Sequence, residues 1–322
     1  MRRVRTDVLV IGAGVVGLTT AVTLAEAGVG VRVRADRRPT ETTSFAAGAI
    51  WGPYLVRHPH AAAWGWETFD VLKELAASPD ETGVRMVGGI EASREHECPP
   101  DWVTDVPGYR PCTQSELPDG FVSGWYYVAP IIDMSVYLAY LERRLGNAGV
   151  KIETGHVASI EDALTQAAIA INCTGFGARD LVPDDQMTPI RGQLVVADNP
   201  GLTEFFAESS DESELTYFLP QGEHVILGGT AEKGEHEMVA DPAAAARIIK
   251  RCAAIEPRLA DVPIRALSRV GIRPSRPEVR VEHVSFGRRH VIHNYGHGGA
   301  GVSLSWGCAH EVRDIAVGLI SA

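Results

Sequence analysis

Six residues near the amino terminus have the types and spacing that suit phosphate binding. They read GAGVVG, with glycines at positions 12, 14 and 17. Gly12 would make the tight turn after a strand, Gly14 would let the backbone approach a pyrophosphate, and Gly17 would allow close helix–strand packing. Asp36 follows 19 residues after Gly17, and its carboxylate can accept hydrogen bonds from both ribose hydroxyls. The pattern predicts a dinucleotide site, with an ordinary tight turn as the alternative interpretation.

A second glycine loop lies near the carboxyl terminus. Residues 293–301 read HNYGHGGAG, with four glycines between positions 296 and 301, and glycines this dense indicate that a ligand lies against bare backbone. A helix that begins here could stabilise negative charge on a reduced flavin ring. A nicotinamide enzyme would not need this loop, so FAD is favoured over NAD. His293 and His297 also have the spacing of a metal-binding pair on a helix, but the glycines oppose a helix there, and we expect no metal.

The elements around the first motif form a predicted βαβ unit. Residues 6–11 are a short apolar run typical of a buried parallel strand. The stretch that ends at Gly28 predicts a helix closed by a glycine, and residues 29–36 alternate as a second strand. Residues 37–66 are rich in turn formers and small residues, and we expect a loop there.

Further along the chain, residues 161–181 predict a helix, a strand and another glycine turn, and residues 290–296 predict a strand before a final helix from Val302 to Ile320. Residues 188–235 contain several stretches that read as antiparallel strands. We therefore expect an α/β fold: a Rossmann-like FAD-binding domain with an inserted antiparallel-sheet substrate domain. The predicted FAD-binding domain comprises residues 1–53, 129–186 and 264–322, and the substrate-binding or cap domain comprises residues 54–128 and 187–263.

Composition and charge narrow the class of protein. The net charge of −11 argues against a nucleic-acid partner. The five cysteines are scattered without a CxxC pair, which favours a reducing, cytoplasmic setting. The basic and apolar start superficially resembles a signal peptide, but its glycines mark it as structure. The longest charge-free apolar run, Val8 to Leu18, is too short to span a membrane. We expect a monomer or a homodimer.

Longer stretches of the chain resemble the D-amino-acid oxidase family, FAD-dependent flavoproteins, in its bacterial form. The matching stretches are VIGAGVVGL, RADRRPTETTSFAAGAIWGPY, INCTGFGA, GIRPSRPEVRVE and HNYGHGGAGVSLSWGCA, and they run in the family's order over essentially the whole chain. The resemblance implies oxidative deamination of D-amino acids by hydride transfer from Cα to flavin N(5). The products would be 2-oxo acids, ammonia and hydrogen peroxide, with dioxygen as the electron acceptor.

The resemblance also implies which residues hold the cofactor. The glycine turn matches the family's pyrophosphate site, Asp36 its ribose acid, and Val157 a backbone contact to the adenine. The stretch around residues 42–48 matches the segment that wraps the pyrophosphate and flavin, and residues 298–303 match the loop over the flavin ring. The full set is Gly12, Ala13, Gly14, Val15, Val16, Gly17, Asp36, Arg37, Thr42, Thr43, Ala46, Ala47, Gly48, Val157, Thr174, Gly175, Gly298, Gly299, Ala300, Gly301, Val302 and Ser303.

Three residues match the family's substrate and catalytic positions. Arg273 matches the arginine that holds the substrate carboxylate, a role suited to a fork that is always charged. Tyr217 matches a tyrosine whose hydroxyl reaches the same carboxylate, and Gly299 matches the residue whose carbonyl accepts from the substrate amino group. Taken alone, Arg273 could be a surface arginine and Tyr217 a core aromatic residue. We nominate no side-chain base.

The chain departs from the family at its substrate pocket. Ser213 stands where animal members carry a second tyrosine on a lid, so we expect no closing aromatic lid. Gly52 follows Trp51 where a glutamine often stands. The segment 208–214 carries four carboxylates, which would repel acidic side chains near the entrance and favour neutral D-amino acids. A D-aspartate oxidase, a glycine oxidase-like enzyme or a non-catalytic flavin-binding protein are the alternatives.

Overall fold

The computed structural model describes residues 8–54, 56–209 and 213–321. Its helices are α1 (Val15–Glu26), α2 (Ala61–Leu75), α3 (Pro79–Thr82), α4 (Met134–Asn147), α5 (Ile160–Gln166), α6 (Ala178–Leu181), α7 (Pro242–Ile255) and α8 (Gly301–Ser321). Its strands are β1 (Val8–Ile11), β2 (Val31–Ala35), β3 (Val84–Ser93), β4 (Arg110–Pro111), β5 (Ser123–Ile132), β6 (Ile152–Thr154), β7 (Ile169–Asn172), β8 (Thr188–Asp198), β9 (Phe205–Glu208), β10 (Glu214–Gln221), β11 (His224–Thr230), β12 (Glu232–Lys233), β13 (Ile264–Phe286) and β14 (Arg289–His297).

The strands of the described chain form one sheet with a parallel and a mainly antiparallel part. Their order is β4-β5-β3-β9-β10-β11-β8-β13-β14-β7-β1-β2-β6, and β12 pairs with β8. The strands from β14 to β6 run parallel to one another. The remaining pairs are antiparallel apart from β3 with β9. The predicted α/β fold with an antiparallel sheet is confirmed.

Helices cover both faces of the parallel part. Val8 and Val10 pack with residues of α1, α4 and α8, whereas Leu9 and Ile11 pack with residues of α5. Successive side chains of a strand point to opposite faces, so a strand buried on both sides must be apolar at every position. This explains the unbroken apolar sequence of β1, which is buried along its whole length.

The antiparallel part is covered on one face by α7. Ile248 and Cys252 of this helix pack against Val195 and Phe218 of the sheet. Tyr217, one residue along β10, therefore points to the other face. That face, away from α7, is where the substrate residues predicted from the sequence lie.

One long strand, β13, joins the two parts of the sheet. Its first half pairs with β8, and its second half pairs with β14. Ser275 is in register with Thr188 of β8 and also with His297 of β14. The strand therefore carries Arg273 to the junction between the antiparallel and parallel parts.

Most of the predicted elements are present at the expected positions. The predictions of α1, β2, α5, β7, β14 and α8 are confirmed to within a few residues, and Gly28 has the left-handed conformation (φ 82°) expected of a helix-closing glycine. The prediction of a loop over residues 37–66 is wrong at its end, because α2 begins at Ala61. This helix is positioned by its packing against α8, which local turn composition does not reveal.

The proposed division into two domains stays a prediction. The boundary placed between residues 128 and 129 falls inside β5, which pairs with β3 along its whole length. No helix within the described ranges is both long and apolar enough to cross a membrane.

Close packing of α8 on α2 gives a test of the fold. A Cβ atom at Gly307 would lie 2.3 Å from Cα of Trp64 and 2.4 Å from its carbonyl oxygen. The backbone must move to accept it, so Gly307→Ala should destabilise the protein by about 1–3 kcal/mol. Gly318→Ala on the same helix meets nothing within 4 Å and should be neutral or stabilise by about 0.4–1 kcal/mol. Thermal and urea unfolding measure both, and equal stability of the two variants would contradict this packing.

Candidate active site

The first glycine turn is shaped by two close approaches. Gly12 has φ 111°, a conformation that favours glycine, and a Cβ atom there would lie 2.4 Å from the Cys173 carbonyl oxygen. A Cβ atom at Gly17 would lie 2.1 Å from the Gly12 carbonyl oxygen. Gly14 differs, since its nearest neighbour would be the Ser44 hydroxyl oxygen at 3.1 Å. Gly12 and Gly17 are therefore required by the fold, whereas Gly14 leaves its backbone accessible.

The amino-terminal ends of α1 and α8 lie close together. A Cβ atom at Gly301 would be 3.9 Å from Cγ2 of Val16, and the Thr19 hydroxyl donates to the Ser305 carbonyl oxygen at 3.2 Å. The first N–H groups of a helix have no acceptor within the helix, and that end carries partial positive charge. Two such ends side by side fit a long anionic cofactor held at two places, which agrees with a dinucleotide.

The segment of residues 42–50 lies across the sheet beside these helix ends. Every residue in it is half-buried, and Ser44 caps α1 by accepting from the Val15 N–H at 2.9 Å. The Thr43 hydroxyl donates to the Ile272 carbonyl oxygen at 3.1 Å, which holds the segment on β13. Gly48 lies against the ring of Tyr217, at 3.4 Å from its would-be Cβ atom. The segment thus connects the glycine turn to the substrate face.

The residues matched to the adenosine lie away from the substrate residues. Asp36 and Arg37 are exposed just after β2, and the Gly155 N–H donates to the Ala35 carbonyl oxygen at 2.8 Å, which brings the segment leading to Val157 to the same place. The strand β14 that leads into residues 298–303 is three strands from β2, or about 14 Å along the sheet. The predicted set therefore has two ends, as an extended dinucleotide requires.

The second glycine turn lies between these ends. Asn172 closes it by accepting at Oδ1 from the Thr174 N–H (3.2 Å) and from the Thr174 hydroxyl (2.7 Å). Gly175 has φ 57°, and its would-be Cβ atom is 3.8 Å from Pro274 of β13. Thr174 and Gly175 thus lie beside both the first glycine turn and the strand that carries Arg273.

Arg273 and Tyr217 lie over glycines. A Cβ atom at Gly192 would be 2.6 Å from the Arg273 guanidinium, and one at Gly228 would be 1.8 Å from the Tyr217 ring. Gly229 would place a Cβ atom 2.8 Å from the Tyr217 hydroxyl. We call Gly192, Gly228 and Gly229 the glycine floor. A side chain at any of these three positions would occupy the space that Arg273 or Tyr217 fills.

The guanidinium of Arg273 is available for an anion. It donates to the Thr230 carbonyl oxygen at 3.0 Å, and no carboxylate of the described ranges forms an ion pair with it. Arg276 of the same strand, by contrast, is paired with Asp184 at 3.0 Å. The exposed backbone of Gly299 lies next to Arg273, with its would-be Cβ atom 3.7 Å from Cδ.

Tyr217 is placed as a hydrogen-bond donor. Burial raises the pKa of its hydroxyl, and the nearby Arg273 charge opposes that rise only in part. The hydroxyl therefore stays protonated at neutral pH. Arg273, Tyr217 and Gly299, which are widely separated in the sequence, meet at one place.

The glycine floor is the main feature that the sequence reading missed. Gly228 and Gly229 lie in the stretch HVILGGT, within residues 188–235, for which the sequence predicts antiparallel strands. Glycine weakens a strand and often marks a close approach by another group. Adjacent glycines inside a strand were therefore the signal for a side chain lying flat on the sheet.

The two histidines with metal-pair spacing lie on one strand rather than a helix. His293 and His297 belong to β14, so they are about 13 Å apart along it. Burial lowers the pKa of His297 to about 4, which keeps its ring neutral. Within the described ranges no cluster of three histidine, cysteine or acidic residues could hold a metal ion.

The acidic segment 208–214 carries less free charge than its composition indicates. Glu208 is paired with Arg94 at 2.8 Å, and Glu214 is paired with both Arg247 and Arg251 at 2.7 Å. Asp211 and Glu212 lie outside the described residues. The same is true of the middle of the segment that corresponds to the family's lid. Ser213, at the start of the next described range, is exposed.

Comparisons with known proteins identify a family model, relatives and solved structures that this chain resembles. The family model described as DAO, FAD dependent oxidoreductase, matches residues 7–315. The chain is 44% identical to a D-amino-acid oxidase of Rubrobacter xylanophilus, over 99% of this chain and 98% of that protein. It is also 44% identical to a D-amino-acid oxidase of Streptomyces coelicolor, over 96% of each. The solved glycine oxidase of Geobacillus kaustophilus is similar in fold, with a TM-score of 0.81, 19% identity and coverage of 97% and 95%.

The two kinds of glycine in the first turn predict different outcomes. Gly14→Ala should leave the fold intact, because only a rotatable hydroxyl lies nearby, but its methyl group would stand between the backbone and the pyrophosphate. We expect the FAD dissociation constant to rise at least about tenfold. Gly17→Ala should instead lower the melting temperature of the apoprotein, because its Cβ atom meets a backbone oxygen. Flavin titration and apoprotein melting separate the two, and unchanged FAD affinity in Gly14→Ala would contradict this assignment.

Proposed function

The chain belongs to the DAO family of FAD-dependent oxidoreductases, and on that basis we propose that it oxidatively deaminates neutral D-amino acids. The products are an imino acid, which water converts to a 2-oxo acid and ammonia, and hydrogen peroxide. The observation that carries the proposal is Arg273: its guanidinium lies on the glycine floor beside Gly299 with no carboxylate of the described chain paired to it.

The residues that connect the two ends of the predicted set would hold FAD. The glycine turn and the start of α1 would hold its pyrophosphate, Asp36 its ribose, and residues 42–48 and 298–303 its ring. When bound, FAD would supply the acceptor, flavin N(5), for a hydride from the substrate Cα, with dioxygen as the final electron acceptor.

The chain's own residues bind and orient the substrate. Arg273 and the Tyr217 hydroxyl hold the carboxylate, since both are donors on the same sheet face and a guanidinium fork matches a carboxylate. The Gly299 carbonyl oxygen accepts from the amino group, which reacts in its neutral form. With the carboxylate and amine both fixed, the Cα–H has one orientation, and catalysis rests on positioning, where a displacement of ~1 Å can cost ~100-fold.

The free cysteines of the chain support our proposal for where the enzyme acts. All five cysteines are free thiols, which suits a reducing cytoplasm. We place the enzyme there as a monomer or homodimer, with D-amino acids and dioxygen as its small-molecule partners.

The preference for neutral side chains rests on the charges that the site offers the substrate rather than on the acidic segment. Two of that segment's carboxylates are ion-paired with arginines, so its repulsion of acidic substrates is weaker than its composition indicates. We assign the Arg273 guanidinium to the α-carboxylate of the substrate. A D-aspartate oxidase needs a further cation to bind the side-chain carboxylate of D-aspartate. A D-aspartate oxidase and a glycine oxidase-like enzyme are the alternative functions.

A substrate panel tests this choice. We expect D-alanine, D-valine and D-leucine to give larger kcat/KM values than D-aspartate, D-glutamate and glycine, measured as peroxide release. Anaerobic D-alanine should bleach the flavin absorbance, which a non-catalytic flavin protein would not show. Equal or faster turnover of D-aspartate would identify a D-aspartate oxidase instead.

Replacement of Arg273 tests the carboxylate site. Arg273→Lys keeps the charge but loses the fork, and loss of one charge-assisted hydrogen bond at about 1.5–3 kcal/mol should lower kcat/KM about 10- to 150-fold. Flavin content should not change. Arg288→Lys, in an exposed turn, is the matched control and should keep normal kinetics. Near-normal turnover by Arg273→Lys would remove Arg273 from this role.

A further inference from the structure

A buried carboxylate lies on the substrate face outside the residues that the proposed function uses. Glu91 is 3% exposed. It accepts at Oε2 from the Tyr54 hydroxyl at 2.6 Å and from the Tyr127 hydroxyl at 2.8 Å. We refer to Tyr54, Glu91 and Tyr127 as the tyrosine–glutamate cluster.

The cluster holds its carboxylate with neutral donors. Burial raises the pKa of Glu91, and the two tyrosine hydrogen bonds oppose that rise. Burial also raises the pKa of both tyrosines well above its usual value, so their hydroxyls stay protonated and can donate. Burying a carboxylate without a cation costs free energy unless hydrogen-bond donors are fixed around it. We therefore expect the two tyrosines to be held as firmly as the carboxylate.

Strand register places the cluster on the same face as the substrate residues. Glu91 of β3 is in register with Ala207 of β9, and Ala207 is in register with Tyr217 of β10. Residues in register share a face of the sheet, so Glu91 and Tyr217 point the same way, two strands or about 10 Å apart. The residue between them, Ala207, is half-buried and has a small side chain.

Tyr54 lies between this face and the start of α8. Its ring lies on Gly52, where a Cβ atom would be 2.2 Å from ring atom Cε2. The Gly52 N–H donates to the Ser303 hydroxyl oxygen at 3.0 Å, and Ser303 belongs to the loop matched to the flavin ring. Trp102 supports the ring edge-on at 5.1 Å. Tyr54 is half-buried, unlike Glu91 and Tyr127, so part of this residue stays accessible.

We propose that Tyr54, held over Gly52 by Glu91 and Tyr127, forms the wall of the pocket that receives the substrate side chain and screens the Glu91 carboxylate from it. This inference rests on the proposed function. Tyr54 therefore determines specificity in two ways: its ring limits the size of the side chain, and its hydroxyl occupies the carboxylate that would otherwise bind a cation. Gly52 is the residue that makes room for the ring.

Removal of the ring should have two separable effects. Tyr54→Ala opens space for longer side chains, and it exposes an oxygen of Glu91 to them. An ammonium group that reaches this oxygen gains a charge-assisted hydrogen bond, whereas a methyl group at the same place does not. D-Lysine ends in an ammonium group and D-norleucine in a methyl group, on side chains of similar length. Comparing D-lysine with D-norleucine therefore reports on access to the Glu91 carboxylate. Comparing D-norleucine with D-alanine reports on the space for a longer side chain.

The experiment measures kcat/KM for these three substrates in the FAD-loaded protein and its variants. Tyr54→Ala should raise both the norleucine-to-alanine ratio and the lysine-to-norleucine ratio by about tenfold. The double variant Tyr54→Ala/Glu91→Gln should keep the first gain and lose the second. Tyr54→Phe, which keeps the ring, should leave the norleucine-to-alanine ratio unchanged.

Tyr126→Ala is the matched control. Tyr126 neighbours Tyr127 on β5 but points to the opposite face, where its hydroxyl reaches Glu204. Both ratios should stay at the values of the unaltered protein. Flavin content and melting temperature identify misfolded variants, and Tyr54→Leu carries the same test if the alanine variant does not fold.

The outcomes separate this inference from the proposed function. Unchanged ratios in a folded, flavin-loaded Tyr54→Ala would overturn the inference while leaving the proposed function intact, and so would a lysine gain that survives Glu91→Gln. An unaltered, flavin-loaded protein that oxidises none of the three D-amino acids would instead overturn the proposed function.

Discussion

Hydrogen bonding along β13 fixes the geometry on which the rest of the site depends. The strand is in register with β8 in its first half and with β14 in its second, and Ser275 is in register with both neighbours. The parallel part, which carries the glycine loops, cannot move against the antiparallel part without breaking this ladder. Arg273 and Gly299 are therefore held side by side, although one lies on the antiparallel side of the junction and the other follows the parallel strand β14.

Glycines shape the substrate face as much as its side chains do. Gly192, Gly228 and Gly229 give Arg273 and Tyr217 a surface on which to lie flat, and Gly52 does the same for Tyr54. Flat side chains with fixed donors need little reorganisation when a charged ligand binds, which is how preorganised sites stabilise charge. The arrangement explains why glycines inside β8 and β11 are compatible with a stable sheet: the side chains that cross them fill the space.

Local patterns predicted the fold well where the backbone itself imposes the requirement. The turn at Gly12 needs a positive φ and a bare backbone beside Cys173. The spacing of the glycines therefore predicts a strand, a turn and a helix at the positions where the structure has them. Continuous burial of β1 appeared as an apolar run. The start of α2 at Ala61 was not predicted, because its helical state depends on packing against α8, more than 230 residues later in the chain.

The sequence by itself determined the family resemblance, the cofactor class and the residues that match the cofactor and substrate positions, because these follow from residue types at fixed local spacing. Only the tertiary structure decided how Arg273, Tyr217 and Gly299 meet, which carboxylates of the acidic segment are neutralised, and that Glu91 lies behind Tyr54. Each of these depends on strand register and on contacts between residues far apart in the chain. Side chains such as Glu91 look like ordinary strand residues until the neighbouring strands place them on the substrate face.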